Sequence, residues 1–395
     1  MRANVKAQGM CVTAWFAHVS IQGQATYHNS ILHKMREGGT KMGRKIALLV
    51  VVVSFLLSVV SSPYAAEVVK LKFANYFPPM HMNSILMGKY CEELNKKLSG
   101  KVEITQYTGG TLLSPVKMAA GVADGIADFG LSHLSYTRGR FPVMEIMELP
   151  HGFPSPWIAG HVANDFYNKY QPKDFDGYKA LMFSAAPILV VQTVNKPVRT
   201  LDDLKGLKLR GTGRIGDIVQ ALGATPIPLE MPDLYDGLKR NLCEGALLST
   251  ETLEGFKTGE LIKYLTPSWR IGCAYCFYVV MNKDKWSALA PDVQKVITDF
   301  SKEFIERWTV EWVNIDISSL NYFKSKGGKF ESIPEEDNPN WIKAVRPVIE
   351  DYKKDLISKG YKAAEIDEWI SFVDKRIQYW KSEEKARKIP LVYQY

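Results

Sequence analysis

An α/β protein built as two similar lobes is predicted by three features of this 395-residue chain. From Val68 onwards, short apolar runs of strand character alternate with helical patterns, as in sheets flanked by helices. One helix-to-strand join occurs twice, at Gly121–Ser132 ("GVADGIADFGLS") and Gly237–Ser249 ("GLKRNLCEGALLS"). A helical pattern then runs from about Pro291 to Lys326. At about 1.5 Å per residue it is longer than one lobe, so it either bridges both or bends between them.

The first lobe opens with Val68–Tyr76 ("VVKLKFANY"), where apolar and polar residues alternate as in a strand. "FPPMHMN" turns into a helix from about Asn83 to Leu98, "SGK" stops it, and Val102–Tyr107 is the second strand. After the loop "TGGTLLSP", Pro115 is well placed to start a helix. That helix ends near Gly121–Gly125, and Ala127–Leu134 is a buried strand. In the second copy the preceding strand is Thr225–Leu229. Gly121, Val122, Gly125, Ile126 and Asp128 match Gly237, Leu238, Asn241, Leu242 and Glu244. Gly and Asn tolerate the left-handed conformation that ends a helix, so both copies read as helix, cap, acid, strand. Ligands of such sheets collect beyond the carboxyl ends of the strands, and two facing lobes make a cleft. Phe277–Trp286 reads as a strand and turn, and Ile333–Leu356 and Ala363–Lys385 as surface helices.

The formal net charge of +8 points to no acidic partner once it is located along the chain. Residues 1–66 hold seven Lys/Arg and one acid, so the remaining 43 basic and 41 acidic residues leave only +2. That balance does not support nucleic-acid binding. The basic leader has its own form: Arg44 and Lys45, the apolar Ile46–Val60, then "SSPYAA". A basic region, an apolar core shorter than the roughly 20 residues of a membrane span, and small residues describe a secretory signal peptide. It is expected over 42–66, with cleavage near Ala65 or Ala66. Met42 is the better start, because "MREGG" before it is encodable by a purine-rich run like a ribosome-binding site. Residues 1–41 are therefore expected to be a non-native extension.

Five cysteines suit an exported protein with no disulfide framework. Cys273 and Cys276 form C-x-x-C, but "GCAYCFYVVMN" reads as a buried strand, on which positions three apart point to opposite faces. Small buried side chains are the expectation there, not a redox pair. His81, His133, His151 and His161 lack metal-ligand spacing, and no metal or cofactor is expected.

One stretch argues for a different protein. In Leu207–Glu230, Gly211, Gly213 and Gly216 form G-x-G-x-x-G, with Glu230 where a ribose-binding carboxylate would lie. A nicotinamide-dependent dehydrogenase would be cytoplasmic and would carry an apolar strand before the motif. The leader opposes the first, and Lys208 with Arg210 oppose the second. Such an enzyme also needs acid–base residues in the cleft, for which His133 alone is thin.

From Val68 to about Tyr352 the chain resembles the DctP-type substrate-binding proteins of tripartite ATP-independent periplasmic (TRAP) transporters. The likeness is carried by "LKFANYFPPMH", "KVEITQYTGGTL", "VADGIADFGLS", "RFPVMEIMELPHGFPS", "LDDLKGLKLRGTG", "LGATPIPLEMPDLYDGLK" and "VVMNKDKWSALAPDVQKVI", in order. It implies the two-lobed, type II-like periplasmic binding protein fold, each lobe a mixed sheet flanked by helices, with a long helix crossing both. The division expected is 67–187 plus 276–315 for the first lobe and 188–275 plus 316–395 for the second. It also implies a non-enzymatic periplasmic receptor, monomeric, that closes on an organic acid and docks on a small and a large membrane subunit. A periplasmic sensor using the same closure is the other reading.

The family's signature arginine falls at the end of "GLKLR", Arg210. Its planar guanidinium gives a carboxylate two parallel charge-assisted hydrogen bonds, which Lys cannot reproduce. Departures limit the ligand. Leu248 stands where many organic-acid binders carry Asn, Val190 where sugar-acid receptors carry a second Arg, and His133 in an acidic position. Met231 takes the place of an aromatic or Met wall residue, and Tyr76, Phe77, Tyr107 and Tyr136 are expected aromatic walls from the first lobe. Thr212 and Ser249 complete the expected contacts. One cation in an apolar, aromatic surround favours a hydrophobic, aromatic or branched-chain monocarboxylate or 2-oxo acid. A C4-dicarboxylate would want a second cation, for which Arg214 or Arg138 is available, though both are expected to be solvated.

Overall fold

The computed structural model describes residues 67–392, so the expected extension and signal peptide lie outside the described residues. Eleven strands occur among them: β1 (Val69–Asn75), β2 (Val102–Tyr107), β3 (Phe129–His133), β4 (Tyr178–Ala185), β5 (Val190–Thr193), β6 (Lys208–Arg210), β7 (Thr225–Ile227), β8 (Gly245–Leu248), β9 (Tyr264–Thr266), β10 (Cys276–Asn282) and β11 (Lys329–Phe330). They form two mixed sheets, ordered β2-β1-β3-β10-β4 and β11-β9-β5-β8-β6-β7. In the first, β1 runs parallel to β2 and β3, and β10 antiparallel to β3 and β4. In the second, β6 runs parallel to β7 and β8, and β5 antiparallel to β8 and β9.

The two sheets share a three-strand unit at one edge, β2-β1-β3 in one and β7-β6-β8 in the other, and the repeated sequence explains why. Helices Met118–Ala123 and Met231–Lys239 both end on a left-handed residue, Gly125 (φ 74°) and Asn241 (φ 57°). The next amide closes each helix, Ile126 onto the Gly121 carbonyl at 2.8 Å and Leu242 onto the Gly237 carbonyl at 2.9 Å. The matched acids then join strand to strand. Asp128 donates its amide to the Lys72 carbonyl (3.0 Å) and accepts the Lys72 amide on its carboxylate (2.7 Å). Glu244 does the same with Lys208, at 2.7 and 3.0 Å.

The chain passes between the sheets at three places. Ala186–Leu189 and Cys273–Tyr275 run side by side, with the Ala186 amide on the Tyr275 carbonyl and the Leu189 amide on the Cys273 carbonyl, both 3.0 Å. The third crossing is one unbroken helix, Pro291–Ser325. It holds the first lobe through Trp308 Nε1 to Asn83 Oδ1 (2.8 Å) and the second through Ser318 Oγ to Glu254 Oε2 (2.7 Å). The last helix, Ala363–Arg387, lies on Pro156–Tyr170, where Arg376 and Trp380 both donate to Asp165. The expected division put 316–395 wholly in the second lobe. Residues 363–387 instead pack on the helix that covers the first sheet.

Cys273 and Cys276 are buried and unpaired, and burial pushes both thiols up, Cys273 to about 12. They serve as small packing side chains.

Candidate ligand-binding site

Four of the expected contacts occupy equivalent places, at or just beyond the carboxyl ends of central strands. Tyr76 follows β1, His133 ends β3, Arg210 ends β6, and Ser249 follows β8. Strand β6 is only three residues long, because Gly211 must turn the chain at once into the helix Gly213–Ala221. Arg210 therefore sits at the end of the sheet with its side chain enclosed.

Its guanidinium is fully buried. Nε donates to the Leu229 carbonyl (3.0 Å), Nη1 to the Tyr275 hydroxyl (2.8 Å) and Nη2 to the Tyr136 hydroxyl (3.4 Å). Every one of these partners is neutral. An arginine stays charged in any protein environment, and a buried charge without a counter-ion is strongly disfavoured. Among the described residues Arg210 hydrogen-bonds to no acidic group.

The two phenols extend the argument. Tyr275 accepts from Arg210 and, at 3.4 Å, from the Thr212 amide, and its hydroxyl also lies 3.4 Å from the Thr212 hydroxyl. Tyr136 accepts from Arg210 and from the Met231 amide (3.0 Å). A hydroxyl has one proton and two lone pairs, so with its acceptor capacity in use each phenol has only its own proton left to offer. Among the described residues Tyr136 donates that proton to no protein acceptor, and Tyr275 has only the Thr212 hydroxyl, at 3.4 Å, to take its own. Burial pushes both phenols up, so both keep it. The guanidinium and two O–H groups form a set of donors, which suits an acceptor-only group such as a carboxylate.

The structure brings Arg210, Tyr136, Thr212, Met231, His133 and Tyr76 together. His133 stacks on Tyr136 with centroids 3.8 Å apart, and Tyr76 meets Tyr136 edge-on at 5.7 Å. Phe77 stacks on Tyr76 at 4.5 Å but otherwise faces a second ring cluster of His81, Phe256, Phe277 and Trp312. Leu248 is buried, and the Ser249 hydroxyl is committed to Glu251 (3.0 Å), which faces His81 from the first lobe at 3.3 Å. A cavity of about 390 Å³ lies between Tyr76, Pro79 and Gly109 of the first lobe and Pro232, Phe256 and Lys257 of the second, with Tyr76 the site residue that lines it.

Arg214 is not the solvated reserve cation expected, whereas Arg138 is exposed, as expected. Arg214 is buried, because Glu145 (2.8 Å) and Asp355 enclose it from two directions. Arg138 holds Asp217 with two hydrogen bonds of 2.8 Å. Both charges are already matched, whereas among the described residues Arg210 is a buried cation of the site with no acidic partner.

Tyr275 was not anticipated. It lies 65 residues from Arg210, within a run that reads as an apolar strand, and the flanking cysteines are the louder local signal. Glu148 was also missed. Behind the site it accepts from the Ser135 hydroxyl and, at 3.1 Å, from the Cys276 amide. Burial pushes its carboxyl from 4.5 up to about 8. The folded state therefore keeps a proton that the unfolded chain releases. Its stabilising share is full below about 4.5 and falls as pH rises through about 8. Glu148→Gln should remove up to about 1.4 kcal/mol per pH unit from the fall in stability across that window, measured by denaturant titration at several pH values. An unchanged slope would mean Glu148 is ionised in the fold.

Two lobes, a three-fold crossing between them and an unmatched buried cation at facing strand ends define a solute-binding protein. The comparisons with known proteins agree. A profile of the DctP family, bacterial extracellular solute-binding protein family 7, matches residues 73–355, and the chain belongs to that family. A TRAP periplasmic solute binding protein from Desulfovibrio salexigens is 33% identical, with a TM-score of 0.68 over 79% of this chain and 96% of that one. A marine metagenome TRAP solute binding protein specific for aromatic acids, solved with 3-hydroxybenzoate, is 24% identical with a TM-score of 0.74, covering 79% and 98%. The C4-dicarboxylate-binding protein DctB of Bacillus subtilis is 23% identical over 71% of this chain and 81% of its own length. The family and its relatives are binding components of transporters rather than enzymes.

Proposed function

We propose that this protein is the periplasmic receptor of a TRAP transporter, which takes a monocarboxylate into its interlobe cleft and delivers it to small and large membrane subunits. The observation that carries this reading is the enclosed Arg210, whose protein partners are all neutral and whose flanking phenol Tyr136 has only its proton to offer. A carboxylate on the guanidinium supplies the missing charge and accepts those donors. Tyr76, Phe77, His133, Tyr136, Thr212, Met231 and Leu248 surround the ligand body, and Ser249 shapes the end of β8.

A single carboxylate with a hydrophobic, aromatic or branched body fits best, because the other two cations considered are already paired. That pairing disfavours the C4-dicarboxylate reading, although a dicarboxylate-binding relative exists.

A thermal-shift screen tests the class. A ligand present at about 100 times its Kd stabilises the folded state by about 2.7 kcal/mol. Aromatic and branched-chain monocarboxylates should raise Tm clearly, and succinate or malate should not. A shift with dicarboxylates alone would overturn the monocarboxylate assignment, and no shift with any carboxylate would overturn the receptor reading.

A further inference from the structure

His133 carries a buried ring nitrogen, Nδ1, that has no hydrogen-bond partner in the structure. Native interiors leave few such atoms unpaired, and each one calls for an explanation. Here the place explains it. The imidazole ends β3 of the first lobe, stacked 3.8 Å from Tyr136 and tilted 4.5 Å from Tyr275. Those are the two rings that clasp Arg210 of the second lobe, at 6.0 and 5.2 Å from its guanidinium carbon. Guanidinium and imidazole thus address one small volume from opposite lobes.

Burial, and then the charge of Arg210, keep this imidazole neutral. A neutral ring offers one N–H and one bare nitrogen. It can accept from a hydroxyl or donate to a carbonyl, and it brings no charge to match a second carboxylate.

We propose that His133 Nδ1 reads an oxygen on the carbon that bears the carboxylate, so that the cleft selects 2-hydroxy and 2-oxo monocarboxylates over acids with a plain methylene there. This rests on the reading of Arg210 as the carboxylate holder. With the carboxylate fixed between Arg210, Tyr136 and Tyr275, an imidazole lying on the same two rings faces the ligand within a bond or two of the carboxyl carbon.

The test is calorimetric titration of two matched pairs, mandelate with phenylacetate and 2-oxo-4-methylpentanoate with 4-methylpentanoate. Wild type, His133→Phe and Arg210→Met are compared. In wild type the 2-substituted acid of a binding pair should bind at least about tenfold more tightly than its parent. In His133→Phe that preference, read as the ratio of the two affinities within a pair, should fall below about threefold. An unchanged preference would overturn the proposal. So would an equal loss for both members of a pair, which would put the imidazole on the carboxylate itself. Parent acids that bind without preference, through an interaction that Arg210→Met abolishes, would overturn the His133 assignment alone. Failure of all four acids to bind wild type would overturn it together with the carboxylate reading.

Discussion

Replacing Arg210 with Met should abolish carboxylate binding, a loss of at least about a thousandfold, while leaving the ligand-free protein as stable as wild type or more so. The two halves share one cause. Truncating one partner of a buried, hydrogen-bonded charge pair commonly costs 2–5 kcal/mol or more in affinity, and about 4 kcal/mol is a thousandfold. In the ligand-free protein the same residue is an enclosed cation with only neutral partners. Replacing buried charge by an apolar side chain of similar volume is often neutral or stabilising. Tyr136 keeps the Met231 amide and Tyr275 keeps Thr212, so neither phenol is orphaned. Calorimetry would read the binding and thermal melting the stability. Arg210→Lys separates charge from shape: it preserves the cation and loses the planar fork, and it should still cost more than tenfold. Met at this position with affinity within threefold of wild type would remove Arg210 from the site.

How much of this was legible depends on how far each interaction reaches along the chain. The repeated join was legible because its parts are local. Gly125 and Asn241 cap their own helices, and Asp128 and Glu244 follow within three residues. Arg210 was legible as the end of a short strand in a family motif. Its clasp was not, since Tyr136 and Tyr275 stand 74 and 65 residues away and no local pattern couples them. The same distance misled the reading of Arg214. An arginine near a helix start reads as solvated until Glu145, 69 residues back, and Asp355, 141 residues on, close over it. The last helix shows the limit for the fold: its amphipathic pattern announces a buried face but not which lobe it covers.

The glycine fingerprint is where local pattern and tertiary use part, and it carries the second large prediction. Gly211 and Gly216 serve the turn inside their own lobe. A β-carbon on Gly211 would lie 2.9 Å from Val219 Cγ2, and one on Gly216 would lie 3.2 Å from the Gly211 carbonyl oxygen. Gly213 is different. It holds a left-handed φ of 51°, and a β-carbon there would lie 2.7 Å from Ser135 Cα across the lobes. In a dinucleotide fold the second glycine lets a pyrophosphate approach the backbone; here the opposite lobe makes that approach. Ser135 precedes Tyr136, so a side chain at 213 pushes the first lobe's phenol away from Arg210. Gly213→Ala should therefore weaken ligand binding by roughly a hundredfold, about 2.7 kcal/mol, beyond the 1–2 kcal/mol of stability that a left-handed alanine costs. Gly211→Ala should do the reverse, lowering Tm while the surviving folded protein binds within about threefold of wild type. Small-angle scattering should show that Gly213→Ala compacts less than wild type when ligand is added. Unchanged affinity in Gly213→Ala would mean that the contact with Ser135 belongs to a rigid seam and not to the closing of the cleft.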